Sequence, residues 1–388
     1  MRQTISILGS TGSIGLTSLD LIDRKKNKFI VFLLAANKNF RIICRQINKY
    51  KPKYFVISDK KILSKVKKKF KKKNIKFLNK FDEINLKKKI DITISAIPGL
   101  EGLQPTISMT KISKRILIAN KESVICGWGL IKKIANKYKT KIIPIDSEHF
   151  SIFKLIENHS IEDIKKIYIT ASGGPFLNFK YKDLKKVHPK AALKHPKWKM
   201  GKKISIDSAT MMNKILEIIE AQKLFNIPNN KIDILIHPES LVHAIIELKN
   251  GLSQFIYHDT TMKIPLANAI FEKKLNIQDF KIFKKNNRQK VFNKLTFSKV
   301  DKKNFPIIKI KDRANEYPST SIILNAANEI LVEYFLQKKL PFLSISKIIL
   351  TIMNDRNYYK YAIKKPKNIN QIKEIDLWVK KRIIDNFT

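Results

Sequence analysis

The chain opens with an apolar run, Thr4 to Leu8, that feeds directly into Gly9-Ser10-Thr11-Gly12-Ser13-Ile14-Gly15 and then into a helical pattern through Leu16, Leu19 and Ile22. No other stretch constrains the fold as tightly. A strand, a glycine turn and a helix in that order set backbone N–H groups and a helix N-terminus at a strand end, where they can face a pyrophosphate. The spacing is G-x-x-G-x-x-G rather than G-x-G-x-x-G, so two readings stand: a dinucleotide-binding turn, or a glycine turn that only packs strand on helix.

The strands that follow favour the first reading. Apolar runs at Phe29 to Ala35, Tyr54 to Ile57, Asp91 to Ala96, Arg115 to Ala119 and Lys141 to Ile145 alternate with polar helical stretches, which predicts a parallel sheet flanked by helices. Between them, the lysine-heavy stretch 60–80 reads as an exposed helix and its connection, with Ile62, Val66 and Phe70 at helical spacing. The second strand ends at Ala36-Asn37-Lys38-Asn39-Phe40-Arg41, with no acid for a ribose hydroxyl. Lys38, Asn39 and Arg41 suit a 2′-phosphate, hence NADP, or are ordinary loop residues.

After Ser147 the pattern becomes mixed α+β, and from 303 onward it is helical. The expected organisation is α/β: a parallel-sheet domain over 1–146, a catalytic α+β domain over 147–271, a basic linker over 272–302 and a C-terminal helical domain over 303–388. The length of 388 residues allows such a plan. Lys and Arg exceed Asp and Glu by 78 − 32 = 46, yet 44% of the residues are hydrophobic, which excludes a disordered polycation. The lysines are scattered and carry no zinc-finger or RNA-recognition signature, so no specific nucleic-acid partner is expected. Cys44 and Cys126 cannot build a disulfide framework, and no apolar run suits a membrane span or a signal peptide, so a soluble cytoplasmic protein is expected.

Chemistry concentrates in the middle of the chain. The strand 141–145 ends in Asp146-Ser147-Glu148-His149, and in extended backbone residues i and i+2 share a side. A third acid, Glu217, lies one helical turn after Asn213 in the run Asp207 to Glu217, whose Asp207 and Ser208 read as helix starters. Three hard oxygen ligands suit Mg²⁺ or Mn²⁺, with structural ion pairing as the alternative. Ser172-Gly173-Gly174, Ser208, Asn213 and Lys214 supply hydroxyls, an amide, an ammonium and open backbone for a phosphate. The loop His195 to Gly201 carries Trp198 and Met200, which either close over a ligand or pack in the core.

This ordered set resembles the 1-deoxy-D-xylulose 5-phosphate reductoisomerase family. It comprises the glycine turn, Ala119 to Ser123, Pro144 to His149, Ser172 to Phe176, His195 to Gly201 and Asp207 to Glu217, together with His237-Pro238-Glu239-Ser240 and Leu324 to Glu329. The resemblance implies a Rossmann-like N-terminal domain and a homodimer. It also implies an oxidoreductase and isomerase that uses NADPH and Mg²⁺ or Mn²⁺, with Co²⁺ as a further possibility. Its substrate would be a small phosphorylated sugar, rearranged and then reduced in isoprenoid precursor synthesis. Asp146, Glu148 and Glu217 would hold the metal. Lys121, Ser147, Ser172, His195, Trp198, Ser208, Asn213 and Lys214 would meet the substrate. Thr11, Gly12, Ser13, Ile14, Asn37, Lys38, Asn39, Asn120, Glu122 and Gly201 would meet NADPH. His149 and His243 would act as proton-relay or supporting residues.

The sequence departs from the family pattern at Asn37 and Ile215, where many members carry Gly. Two rival readings are an NADP-dependent oxidoreductase of another phosphorylated carbonyl compound and a basic nucleic-acid-binding protein.

Overall fold

The computed structural model describes residues 2–198, 200–272, 275–280 and 294–387. The chain divides into two compact units: Met1–Ser123, Trp128–Asp146 and Met262–Arg288 form the first, and Val124–Gly127, Ser147–Thr261 and Gln289–Thr388 the second. This partition differs from the expected boundaries, and it gives Val124–Gly127 to the second unit. Helix Lys263–Phe271 joins the first unit because Phe271 packs edge-on against Phe29, with ring centroids 5.4 Å apart, and Lys263 pairs with Asp20 at 3.0 Å. The C-terminal helices share the second unit with the central sheet. Of the expected linker, residues 273–274 and 281–293 lie outside the described residues.

The first unit carries seven parallel strands: β1 Gln3–Leu8, β2 Phe29–Ala36, β3 Tyr54–Ile57, β4 Lys76–Leu78, β5 Ile90–Ser95, β6 Ser113–Ile118 and β7 Lys141–Pro144. Their order is β4-β3-β2-β1-β5-β6-β7, so the winding direction reverses between β1 and β5. A crevice at that reversal is where open α/β sheets bind ligands, and the glycine turn follows β1 there. The strands are rich in Ile, Leu and Val, and Ile5, Ile7, Leu33, Leu34, Ile92, Ile94 and Leu117 are fully buried, as a sheet covered on both faces requires. Helices α1 Ser13–Arg24, α2 Phe40–Tyr50, α3 Lys60–Lys69, α4 Leu103–Ile112 and α5 Lys121–Lys137 alternate with the strands. Within 60–80 the connection after α3 contains the edge strand β4, which the lysine density concealed.

The second unit is built on a mixed sheet of order β11-β10-β8-β9-β12, with β8 Ile164–Ala171, β9 Ile232–Ile236, β10 Val242–Leu248, β11 Ser253–Tyr257 and β12 Ser298–Lys299. Among its described residues only β8 and β9 pair in parallel. Helix α6 Ser147–Leu155 packs on β10, and α10 Met212–Phe225 packs on β8 and β9. Between them lie the short helices α7 Tyr181–Leu184 and α8 Pro189–Ala192, then α9 Lys202–Thr210. Lys263–Phe271 of the first unit is α11; α12 Thr320–Leu336, α13 Phe342–Ile352, α14 Tyr358–Ala362 and α15 Ile369–Phe387 close the chain. Phe342 stands edge-on to both Phe176 and Phe335, which fastens α13 to α12 and to the segment after β8. Among the described residues no helix is long and apolar enough to cross a membrane.

Candidate active site

In the first unit, Gly9 and Gly15 are dictated by close approach. A Cβ on Gly9, whose φ is +80°, would lie 2.5 Å from the Ala96 carbonyl oxygen, and one on Gly15 would lie 2.4 Å from that of Gly9. The Gly9 and Ser10 N–H groups donate to the Ala35 carbonyl at 3.0 and 2.8 Å. Gly12 begins α1 without a side-chain cap, so the helix N-terminus beside Thr11, Ser13 and Ile14 keeps backbone N–H groups for an anion. Sequence reasoning missed Gln46 on α2: its amide donates to the Ser10 carbonyl at 2.8 Å and accepts from Ser10 Oγ at 2.7 Å, fixing the turn from the side.

Asn37 and Lys38 lie exposed after β2, and Asn39 caps α2 by accepting from the Ile42 N–H at 3.2 Å. Asn37 is not in the left-handed region, so replacing Gly there costs no strain. Asn120 caps α5, and its amide also donates to the Ile97 and Gly99 carbonyls, so that side chain is engaged in the fold. Lys121 and Glu122 form the first turn of α5. Asp146 ends the unit, directly before α6.

In the second unit, Ser147 and Glu148 form the first turn of α6, and Ser147 Oγ donates to Glu148 Oε2 at 2.6 Å. Lys214 on α10 donates to Glu148 Oε1 at 2.7 Å and also to Glu217 Oε2, while Asn213 Nδ2 donates to Glu217 Oε1. Burial opposes the charge on Glu148, but the Lys214 ammonium, the His243 ring and the hydrogen bonds from Lys214 and Ser147 hold its carboxyl far below the usual carboxylate range. Burial likewise opposes the charge on Lys214, and the two carboxylates override it and raise the ammonium above an ordinary lysine. His149, fully buried, places Nε2 2.8 Å from the Glu217 carbonyl oxygen and Nδ1 3.6 Å from Glu220 Oε2. The carbonyl can only accept, so Nε2 carries the proton, and the ring holds the α10 backbone at Glu217.

A second corner follows β8. Ser172 Oγ accepts from the Gly174 N–H at 3.1 Å and lies 3.0 Å from His195 Nε2. His195 Nδ1 accepts from the Lys197 and Trp198 N–H groups at 3.2 and 2.9 Å, which leaves the ring proton on Nε2 as donor to Ser172. Both Ser172 lone pairs are thereby filled, and its O–H is left to donate to a ligand acceptor. Burial, with the Lys214 charge behind it, pushes His195 down to about 4, so the ring is neutral. Gly174 at φ +67° brings this loop against the Ser208 carbonyl, which a Cβ would approach to 2.8 Å.

Asp207 and Ser208 do not start a helix. Gly201 N-caps α9 six residues earlier, and Asp207 and Ser208 lie in its final turns, before Met211 (φ 66°) breaks the helix and α10 begins. The side chain that reads as a cap instead accepts from Lys203 and Asn328. Ile215, fully buried on α10, meets no conformational obstacle. Trp198 stands edge-on to His243 at 6.2 Å, and His243 stacks on His258 at 3.9 Å. Burial and then the neighbouring His258 push His243 down to about 3. His258 had no sequence signal beyond its type. Lys199 of the same loop lies outside the described residues.

The donors fit a divalent cation: two carboxylates, one buried and one part-buried, share a single ammonium, leaving the group of three one negative charge in excess. The site thus joins an acidic oxygen cluster to a hydroxyl and glycine corner, on a chain that also carries a glycine-turn sheet.

Comparison with known proteins shows the family of the chain. Family models match residues 5–128 as 1-deoxy-D-xylulose 5-phosphate reductoisomerase, and 142–225 and 259–382 as C-terminal domains of the same enzyme. The chain is 44% identical to the Pelagibacter ubique 1-deoxy-D-xylulose 5-phosphate reductoisomerase over 386 residues, covering 98% of each chain. It is 39% identical to the same enzyme of Wolbachia pipientis subsp. Culex pipiens, covering 96% of this chain and 94% of the relative. The Zymomonas mobilis reductoisomerase solved in complex with NADPH superposes with a TM-score of 0.89 at 31% identity, covering 98% of each chain. A reductoisomerase solved with NADPH, fosmidomycin and magnesium superposes at 0.87 with 30% identity, covering 99% of each. The chain belongs to the 1-deoxy-D-xylulose 5-phosphate reductoisomerase family.

Proposed function

We infer that this chain converts 1-deoxy-D-xylulose 5-phosphate to 2-C-methyl-D-erythritol 4-phosphate with NADPH and a divalent metal, magnesium or manganese, in isoprenoid precursor synthesis. The observation that carries the reading is the Glu148–Lys214–Glu217 cluster on α6 and α10, in a chain that is 44% identical over 386 residues to a reductoisomerase. Asp146, Glu148 and Glu217 hold the metal. When bound, the metal supplies Lewis-acid stabilisation of oxygen charge during the skeletal rearrangement, and NADPH supplies the hydride.

The chain's own residues bind, orient and exclude water. Ser172, Ser208, Asn213 and Lys214 take the phosphate, with the Ser172 proton directed to it by the filled lone pairs and by the neutral His195. Lys121 and Ser147 meet the sugar, and Lys121 adds positive charge beside its reacting oxygens. Trp198, edge-on to His243, closes over the substrate, His149 holds the α10 backbone at Glu217, and the His243 ring lies beside Glu148. Thr11 to Ile14, Asn37 to Asn39, Asn120, Glu122 and Gly201 line the NADPH path, Asn120 through its backbone because its amide is engaged.

The working unit is a homodimer in the cytoplasm. Edge strand β11 supports the first part, since Leu252 (60% exposed) and Phe255 (48%) are uncovered at an unpaired sheet edge. Two buried cysteines, Cys44 and Cys126, support a reducing compartment.

The test mixes the purified protein with 1-deoxy-D-xylulose 5-phosphate, NADPH and Mg²⁺ and follows nicotinamide absorbance, with a chelated sample and Glu217→Gln alongside. Metal-dependent NADPH oxidation that disappears in the variant is expected. Folded protein that binds NADPH yet shows no turnover with Mg²⁺, Mn²⁺ or Co²⁺ would refute the reading.

A further inference from the structure

Asp207 is a carboxylate with no exposed surface, lying in α9 just before Ser208. A buried charge is costly unless partnered, and here one partner comes from its own helix and one from far away in sequence. Lys203 Nζ donates to Oδ2 at 2.8 Å, and Asn328 Nδ2, on α12 and 121 residues onward, donates to Oδ1 at 2.7 Å. Asn328 is itself fully buried, and its Oδ1 has no hydrogen-bond partner among the described residues. Burying an amide oxygen unsatisfied is unfavourable, and a leucine would fill the same space without that cost. What Asn328 contributes to this contact is therefore its N–H.

What that N–H fixes is the last turn of α9. Thr210 Oγ1 donates to the Asp207 carbonyl at 3.2 Å, the Met211 N–H donates to the Ser208 carbonyl at 3.2 Å, and Met211 then turns left-handed into α10, which carries Asn213 and Lys214. The Ser208 carbonyl also lies against Gly174, beside Ser172. A shift of this turn moves Ser208 directly and reaches Lys214 through the Met211 joint.

We propose that Asp207 and Asn328 are a positioning pair through which the C-terminal helices set Ser208, and with it the α9–α10 joint, at the substrate's phosphate. The inference rests on the phosphate assignment above. It gives the C-terminal helices a direct part in substrate recognition, although none of their side chains is assigned to the site.

The test compares the full-length enzyme with Asn328→Leu and, as a smaller alternative, Asn328→Ala. The readouts are kcat, KM for each substrate, the inhibition constant of inorganic phosphate and its binding by calorimetry without turnover. Loss of a hydrogen bond to a charged group predicts that the sugar-phosphate KM and the phosphate constants rise about tenfold. The kcat should stay within about threefold and the KM for NADPH unchanged, a split that general loosening would not produce. Unchanged phosphate affinity in a folded variant would overturn the proposal, as would a proportional loss of NADPH affinity. Failure of both variants to fold would assign the pair to stability alone and overturn it too. Wild-type protein that binds phosphate without turning over the sugar phosphate would sink the proposed reaction but leave the pair to be judged on phosphate affinity.

Discussion

Lys214→Met keeps most of the side chain's stem and removes only the ammonium that two carboxylates share. The Lys214, Glu148 and Glu217 side chains are 8%, 15% and 6% exposed, so water can compensate little of the loss. Removing one partner of a buried ion pair costs about 3–5 kcal/mol, because the remaining charge is left uncompensated. Here two like charges are left facing each other. In metal-free, chelator-treated protein, urea unfolding should show Lys214→Met destabilised by about 3–5 kcal/mol at neutral pH. The double variant Lys214→Met, Glu217→Gln removes one of the stranded charges and leaves an amide for Asn213 to bond, so it should be more stable than Lys214→Met alone. The coupling between the two substitutions should lie within the roughly 0.5–3 kcal/mol range of residues in one network. A single-variant loss below about 1 kcal/mol, or strictly additive effects, would refute the claim that one ammonium holds both carboxylates.

Glu217→Gln should lower kcat/KM by about 10²-fold or more while the protein stays folded, measured by nicotinamide absorbance across a magnesium titration. Ser172→Ala removes a hydroxyl proposed to meet the phosphate and should raise the substrate KM by about tenfold with NADPH affinity unchanged. Gly9→Ala places a Cβ 2.5 Å from the Ala96 oxygen and should cost stability and NADPH affinity, whereas Gly12→Ala, whose nearest neighbour is 3.4 Å away, should keep the fold; denaturant melts and NADPH fluorescence titration separate them. His195 is pushed down to about 4 from an ordinary value of 6.5, so the folded state resists its protonation. Its contribution to stability is therefore present above 6.5 and lost as pH falls from 6.5 towards 4, and His195→Gln should flatten the pH dependence of unfolding in that window.

The parts of this molecule that sequence exposed most directly are those whose partners are near in the chain. The β1 turn was legible because strand, glycines and helix occupy about twenty consecutive residues, and Asn213 and Glu217 because one helical turn fixes their side. Strand β4 was not, since three residues inside a run of lysines carry no period that could outweigh composition. Asp207 shows the deeper limit. Its type and position before a helical run fit a cap as well as any sequence rule requires, and only Asn328, brought in by α12, decides that it is a buried acceptor instead. The same holds for Lys214 and Glu148, 66 residues apart, whose pairing turns two isolated charges into a cluster. A buried charge announces in sequence that it needs a partner, but not which one. Where that partner is distant, the family pattern can place the residue in the site, and only the packed helices explain what holds it there.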